Sequence, residues 1–215
     1  MRTLLSSVAM LAAVAALTAG TAAQQAQEQG AGAPGAQPQG QGRGQGGGRG
    51  GRGGFNLPPL LMETDAFPDG GIVPAKYAGR GGVQPGFKFS GAPDGTVSYA
   101  IIFHDIDVSL KGSTDDVLHW IVWNIPASAN GIPEGKLPDG SVQGRGIVGN
   151  SYFGPGAPAG PRYHHYVFEL YALDTMLDIQ PDTNPSVTRA RIFEAMNGHV
   201  LGKAVYFGLF KRPPS

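Results

Sequence analysis

The chain has 215 residues, in which 16 Lys and Arg balance 16 Asp and Glu, and it contains no cysteine. Without cysteine the fold has no disulfide and no lipid anchor on an N-terminal cysteine, so its stability must come from core packing. Residues 55–215 carry twelve basic and fifteen acidic residues, which offers no basic face for DNA.

The first 23 residues have the composition of a secretory signal peptide. Arg2 precedes a short Ala- and Leu-rich run over residues 4–19, and Thr21-Ala22-Ala23 supplies small residues for cleavage. The run is too short and too rich in alanine to predict a stable membrane span. We therefore predict a periplasmic or secreted protein; the alternative interpretation is an uncleaved amphipathic N-terminus.

Residues 24–54 consist almost entirely of Gln, Gly, Ala, Pro and Arg, a composition that predicts a disordered linker. Its Gly-Arg repeats, with Arg43, Arg49 and Arg52, resemble segments that contact nucleic acid. Three arginines give weak electrostatics, and an exported protein rarely meets RNA. We therefore predict a solvated tether and no nucleic-acid partner.

Residues 55–215 have the size of one domain. Apolar runs predict strands at residues 83–90, 97–105, 118–125, 165–173 and 203–210. Turns rich in Gly, Pro and Asp separate them, which favours an antiparallel, mainly β protein over βαβ repeats.

One helix is predicted, at residues 186–197. Ser186 is the expected N-cap, Pro185 lies just before it, and Gly198 fits the C-terminal stop. Phe193 and Met196 are expected to pack inward.

Polar residues lie where the predicted strands begin or end. They are Asp105, His119, His164 and Tyr166. Because side chains alternate faces along a strand, His164 and Tyr166 share one face while His165 takes the other. Asp105 and Asp107 likewise share a face if their strand stays extended. If these strand ends converge, they form a small polar pocket.

The residue types in this pocket suit an anion. Imidazole and phenol groups donate to phosphate oxygens, and nearby carboxylates keep imidazoles protonated or fix their tautomer. Taken singly, each residue also fits a structural role. Asp105 or Asp107 could be a turn carboxylate, His119 a half-buried histidine, and His164 with His165 a solvated strand end.

A Gly- and Pro-rich loop, residues 154–161, precedes His164. Its glycines let backbone N–H groups approach a ligand and form an anion nest, whereas its prolines stiffen the loop but remove donors. The alternative is a plain surface connection. The loop lacks the Lys-Ser/Thr of a Walker loop.

Five motifs follow one another along the domain. They are His104-Asp-Ile-Asp-Val108, His119-Trp-Ile-Val-Trp-Asn-Ile-Pro126, Gly154-Pro-Gly-Ala-Pro158, His164-His-Tyr-Val-Phe-Glu-Leu-Tyr-Ala-Leu-Asp174 and Ala195-Met-Asn-Gly-His-Val200. Together they resemble the phosphatidylethanolamine-binding protein family, and most closely its bacterial, Raf kinase inhibitor-like branch. The resemblance covers about residues 60–211.

The resemblance implies a large antiparallel sheet packed with a smaller sheet, a C-terminal helix, and an anion pocket for phosphate-like groups, including phospholipid head groups. Carried over by motif, the ligand-binding residues are Asp105, Asp107, His119, Gly154, Gly156, Pro158, His164 and Tyr166.

The chain departs from the family pattern around this pocket. The family's Asp-Pro-Asp-x-Pro is Asp105-Ile-Asp-Val-Ser109 here, and the first residue of its paired prolines is Ala157. The upstream Ser-Pro-x-Leu-x-Trp is reduced to Gln84-Pro-Gly-Phe-Lys-Phe89. We expect these losses to loosen the loops that shape the pocket.

We therefore predict a non-catalytic, exported binding protein for a small anion or a phospholipid head group, without cofactor or metal. One alternative is a modulator or inhibitor of a protein partner, such as an envelope hydrolase. Another is a metal-assisted or acid/base hydrolase, although the sequence contains no HExxH, no Gly-x-Ser-x-Gly and no cysteine nucleophile.

Overall fold

A computed structural model describes residues 60–110 and 112–214. The signal peptide and the linker predicted for residues 1–54 lie outside the described residues. No helix in the described ranges is long and apolar enough to cross a bilayer.

Eight strands and one α-helix make up the described chain. In order they are β1 (Leu61–Glu63), β2 (Phe87–Ser90), β3 (Ser98–Ser109), β4 (Asp116–Pro126), β5 (Gly131–Ile132), β6 (Val142–Gly144), β7 (His164–Leu173), α1 (Pro185–Met196) and β8 (Val200–Phe210). Short 3₁₀ turns lie at Ala75–Tyr77 and Ala127–Ala129. The predicted mainly β fold is confirmed, while β1, β5 and β6 are too short to stand out as apolar runs.

The strands form two antiparallel sheets. The smaller has the order β1-β2-β5 and the larger the order β6-β4-β3-β7-β8. β3 lies at the centre of the larger sheet, between β4 and β7, and its residues 99–105 are buried. This central position explains why β3 reads as a nearly continuous apolar run.

The larger sheet is covered on both faces. Tyr99, Ile101 and Phe103 of β3 pack in the same cluster as the small-sheet residues Phe87 and Phe89. On the opposite face, Ala100 and Ile102 cluster with Ile192 and Met196 of α1. The alternation of β3 therefore decides which residues face the small sheet and which face the helix.

Helix α1 begins one residue earlier than predicted. Asn184 is the N-cap, its side chain accepts a hydrogen bond from the Ser186 N–H, and Pro185 is the first helical residue. Proline suits this position because the N–H it lacks would have no partner within the helix. Met196 is buried as expected, whereas Phe193 is 39% exposed and rests edge-on against Tyr171.

Candidate functional site

The polar strand ends meet on the face of the large sheet that is turned toward the small sheet. Asp105 of β3 lies directly opposite Tyr166 of β7 in the strand register. The His119 ring is 5.2 Å from the Tyr166 ring, centroid to centroid, and the His164 ring is 6.4 Å from it. The structure thus brings together the four polar residues that the sequence places where predicted strands begin or end.

Asp105 and His164 form the central contact of this cluster. Oδ2 of Asp105 lies 2.8 Å from Nδ1 of His164, and Oδ1 accepts the Asp107 backbone N–H at 3.0 Å. Because a carboxylate only accepts, the imidazole donates through Nδ1–H. Nε2 of His164 makes no hydrogen bond within the described residues.

A β-bulge places His119 in the site. Phe103 pairs with Trp120 while the next residue of β3, His104, pairs with Leu118, so the register skips His119. Strict alternation would put His119 and Trp120 on opposite faces, but both belong to the face with Phe103. Bulges commonly redirect a side chain at a functional site in this way.

His119 is held by the backbone and enclosed by aromatic rings. Its Nδ1–H donates to the Phe153 carbonyl at 2.9 Å, and the Phe153 ring stacks on the imidazole at 5.3 Å. Burial lowers the pKa of His119, and the Phe153 carbonyl and the Asp105 charge oppose that effect without overcoming it. The His119 imidazole is therefore neutral at neutral pH.

Tyr166 links the Gly- and Pro-rich loop to the sheet. Its hydroxyl oxygen accepts the backbone N–H groups of Gly156 at 3.1 Å and Ala157 at 2.9 Å. Burial, with a contribution from Asp105, raises the pKa of Tyr166, so the phenol keeps its proton. These two loop N–H groups are therefore already paired and do not form a free anion nest.

The loop glycines have different roles. Gly154 is buried against the backbone of Tyr77, where an added Cβ would lie 2.0 Å from the Tyr77 carbonyl oxygen, and its own N–H donates to Gly79 O at 3.0 Å. Gly156 supplies the N–H to Tyr166, whereas Pro158 is exposed. Gly154 thus lets the loop backbone pack directly against the backbone of Tyr77. Such close packing is the usual reason for a glycine at a position whose φ is not positive.

Asp107 is turned toward His165. Its Oδ2 accepts both the His165 backbone N–H, at 2.5 Å, and the ring Nδ1–H, at 2.9 Å. Burial would raise the pKa of Asp107, but these hydrogen bonds outweigh it and lower the pKa. The irregular end of β3 beyond Asp105 therefore separates Asp107 from the hydrogen bonds around His164.

Strand patterns did not reveal two contributors to the site. The Phe153 carbonyl orients His119, and the Ala157 N–H holds Tyr166. A backbone group carries no sequence signal of its own. The absence of proline at position 157 is a sequence clue to the Tyr166 contact, because only a non-proline residue has the backbone N–H that donates to the Tyr166 hydroxyl.

The cluster is mostly enclosed. Asp105 and His119 are each 4% exposed and Tyr166 1%, whereas the His164 side chain keeps 14% of its surface. His164 is therefore the most exposed side chain of the four. In the part of the chain that the structure describes, no three His, Cys, Asp or Glu side chains are grouped to hold a metal ion.

A second polar cluster lies on the helix-facing side of the large sheet. Nδ1 of His104 is 2.6 Å from Oδ2 of Asp116, and Arg189 of α1 also binds Asp116. Nε2 of His104 is buried without a hydrogen-bond partner, 3.8 Å from Oε2 of Glu169. The cluster ties α1 to the sheet and shares no side chain with the His164 cluster.

Two antiparallel sheets, a C-terminal helix and an enclosed Asp–His–His–Tyr cluster define a class of β-sheet proteins with a small polar site on one sheet face. The family model described as phosphatidylethanolamine-binding protein matches residues 63–211. The chain belongs to the phosphatidylethanolamine-binding protein family.

Relatives in sequence span the same region. A UPF0098 protein from Methanothermobacter thermautotrophicus is 40% identical over 158 residues, which cover 70% of this chain and 98% of the relative. A UPF0098 protein from Pyrococcus horikoshii is 37% identical over 161 residues, with coverage of 71% and 77%.

Solved structures share the fold. A phosphatidylethanolamine-binding protein homologue from Chlamydia trachomatis is 28% identical, covers 72% of this chain and 98% of its own, and superposes with a TM-score of 0.61. YbcL from E. coli, described as a new member of the mammalian family, is 25% identical with a TM-score of 0.62 and coverage of 72% and 99%.

Proposed function

We propose that this chain is a non-catalytic binding protein whose Asp105–His119–His164–Tyr166 cluster holds a small anion of the phosphate class. The single observation that supports this most is the hydrogen bonding of the two ring nitrogens of His164. Its ring is fixed through Nδ1 by Asp105, while Nε2 is unpaired among the described residues, and its side chain, 14% exposed, is the most exposed of the four. An imidazole fixed in this way binds a phosphate oxygen through Nε2 when that nitrogen carries a hydrogen.

The hydrogen bonds of the cluster favour binding over catalysis. A hydrolase of the serine type needs a hydroxyl within hydrogen-bond reach of a histidine. Within residues 60–110 and 112–214, His119 bonds to a backbone carbonyl and His164 to a carboxylate, and neither contacts a serine or threonine hydroxyl. This arrangement lacks the activated hydroxyl nucleophile of a serine-type hydrolase.

Export is part of this proposal. The N-terminal Arg2 followed by an apolar run supports it. In the envelope, a phosphate group is presented both by free phosphate esters and by phospholipid head groups, and the same imidazole chemistry serves both sources.

Calorimetry with inorganic phosphate, phosphoethanolamine and phosphatidylethanolamine vesicles tests the proposal and separates the two sources. We expect the wild type to bind phosphate, and His164→Ala to weaken it at least about tenfold, or 1.4 kcal/mol, because the variant removes the imidazole that Asp105 orients. His199→Ala is the matched control, because His199 is exposed and pairs with Asp174 away from the cluster. Equal affinity in the wild type and in His164→Ala would refute the assignment.

A further inference from the structure

We infer that the site binds its anion together with a proton, and that Nε2 of His164 carries this proton. This inference rests on the proposed function and adds a chemical condition to it: a fully deprotonated anion enters only as His164 becomes an imidazolium.

The neutral cluster lacks free donors. Nδ1–H of His164 is used by Asp105, and Nδ1–H of His119 is used by the Phe153 carbonyl. In a neutral imidazole with its hydrogen on Nδ1, Nε2 is an acceptor. The anion-facing nitrogen of His164 therefore presents a lone pair, which repels an anion until it gains a proton.

Tyr166 and the loop do not supply the missing donor. The N–H groups of Gly156 and Ala157 already point at the Tyr166 oxygen. The phenol has one hydrogen, and the carboxylate of Asp105 lies beside it. A proton added at Nε2 of His164 creates the missing donor.

The charges around His164 favour uptake of the proton by His164 and not by His119. Asp105 contacts His164 directly, and Asp107 adds a second negative charge nearby. The ammonium group of Lys211 donates to the Gly160 carbonyl at 2.9 Å and lies over the Tyr163 ring.

His119 is less suited to the proton. It is more deeply buried than His164, and burial disfavours its charged form. With the proton on His164, the Asp105–His164 pair is neutral overall, and the incoming anion then meets an N–H donor.

Sulfate is the most discriminating ligand for this test, because it carries no proton at neutral or alkaline pH and any proton taken up must go to the protein. Calorimetry of the full chain at pH 8, in two buffers with different ionisation enthalpies, measures the protons taken up on binding. We expect about one proton per bound sulfate, and about a tenfold loss of affinity for each pH unit above 8. Sulfate binding with less than about 0.2 proton would overturn the inference.

The same titrations with phosphate distinguish failure of the proton-uptake inference from failure of the proposed anion-binding function. If phosphate binds with proton uptake while sulfate binds with none, the proton lies on the ligand, and the inference is wrong while the binding function stands. If neither anion binds the wild type, the proposed function itself fails.

Two variants identify the histidine that takes up the proton when sulfate binds. His164→Gln should bind sulfate without proton uptake, while the neighbouring exposed His165→Gln, on the opposite strand face, should match the wild type. In case His164→Gln does not bind, ¹⁵N spectra of histidine-labelled wild type at pH 8 give the answer directly. Sulfate should convert Nε2 of His164 alone to its protonated form; a change at His119 instead would overturn the assignment.

Discussion

Asp105 and His164 are 59 positions apart in the chain, yet Oδ2 of one lies 2.8 Å from Nδ1 of the other. The pairing of β3 with β7 creates this contact, since it places Asp105 opposite Tyr166, two residues from His164 on the same strand face. The carboxylate therefore decides which imidazole nitrogen carries the hydrogen, and it leaves Nε2 unpaired within the described residues.

The first prediction concerns this control of the tautomer. In Asp105→Asn the amide can turn its NH₂ group toward Nδ1, which moves the imidazole hydrogen to Nε2 and supplies a donor without an added proton. We expect sulfate affinity of Asp105→Asn to change less than about twofold between pH 7 and 9, while wild-type affinity falls with rising pH. Calorimetry across this range is the measurement.

Asp107→Asn is the control for that series. Asp107 bonds to His165 and not to Nδ1 of His164, so Asp107→Asn removes a nearby negative charge but leaves the tautomer of His164 fixed by Asp105, and its sulfate affinity should still fall with rising pH. A flattened profile in Asp107→Asn but not in Asp105→Asn would mean that the wrong carboxylate has been assigned to His164.

The second prediction concerns the close approach of the loop to the chain near Tyr77. Alanine at 154 would place its Cβ 2.0 Å from the Tyr77 carbonyl oxygen, a backbone atom that cannot rotate away. We expect Gly154→Ala to destabilise the fold by about 1–3 kcal/mol in urea unfolding and to weaken phosphate binding.

Gly160 of the same loop provides the comparison. A Cβ built there meets nothing within 4 Å, so Gly160→Ala should match the wild type in both assays. Equal losses of stability in the two variants would show that the loop, and not its contact with Tyr77, is responsible.

The third prediction tests whether alanine at 157 strengthens the loop. The sequence alone suggested that replacing a family proline with Ala157 loosens it, but the Ala157 N–H donates to the Tyr166 hydroxyl at 2.9 Å. Ala157→Pro removes this donor. A double-mutant cycle with Tyr166→Phe, which removes the acceptor, should give a coupling of about 1 kcal/mol in urea unfolding.

Ala157→Gly keeps the N–H and should couple only weakly to Tyr166→Phe. If both cycles give the same coupling, the interaction is one of packing and the hydrogen bond contributes nothing measurable.

The sequence predicted the four long strands β3, β4, β7 and β8, the helix and the identity of the clustered polar residues, because apolar runs and period-two alternation are local signals. Of the strand predicted at residues 83–90, only Phe87–Ser90 forms. The period-two rule correctly placed His164 and Tyr166 on one face. It could not reveal the bulge that turns His119 inward, since a skipped pairing depends on the partner strand. The period-two rule did not hold as far as Asp107, because the regular pairing of β3 with β7 ends at Asp105.

The last prediction concerns the second cluster, on the helix-facing side of the sheet. Burial would raise the pKa of Asp116, but hydrogen bonds from His104 and Arg189 outweigh it and lower the pKa to about 2. A carboxyl whose pKa is lower in the folded than in the unfolded chain stabilises the fold above the unfolded value, and this stabilisation is lost as pH falls toward the folded value.

We therefore expect the free energy of unfolding to lose about 2 kcal/mol from this group between pH 5 and pH 2. Urea unfolding across that range should show this contribution missing in Asp116→Asn, whose side chain does not titrate. Asp65→Asn is the control, since the Asp65 side chain is 90% exposed, and it should leave the acid profile unchanged. An acid profile in Asp116→Asn as steep as that of the wild type would mean that the His104 and Arg189 contacts do not stabilise the charged carboxylate.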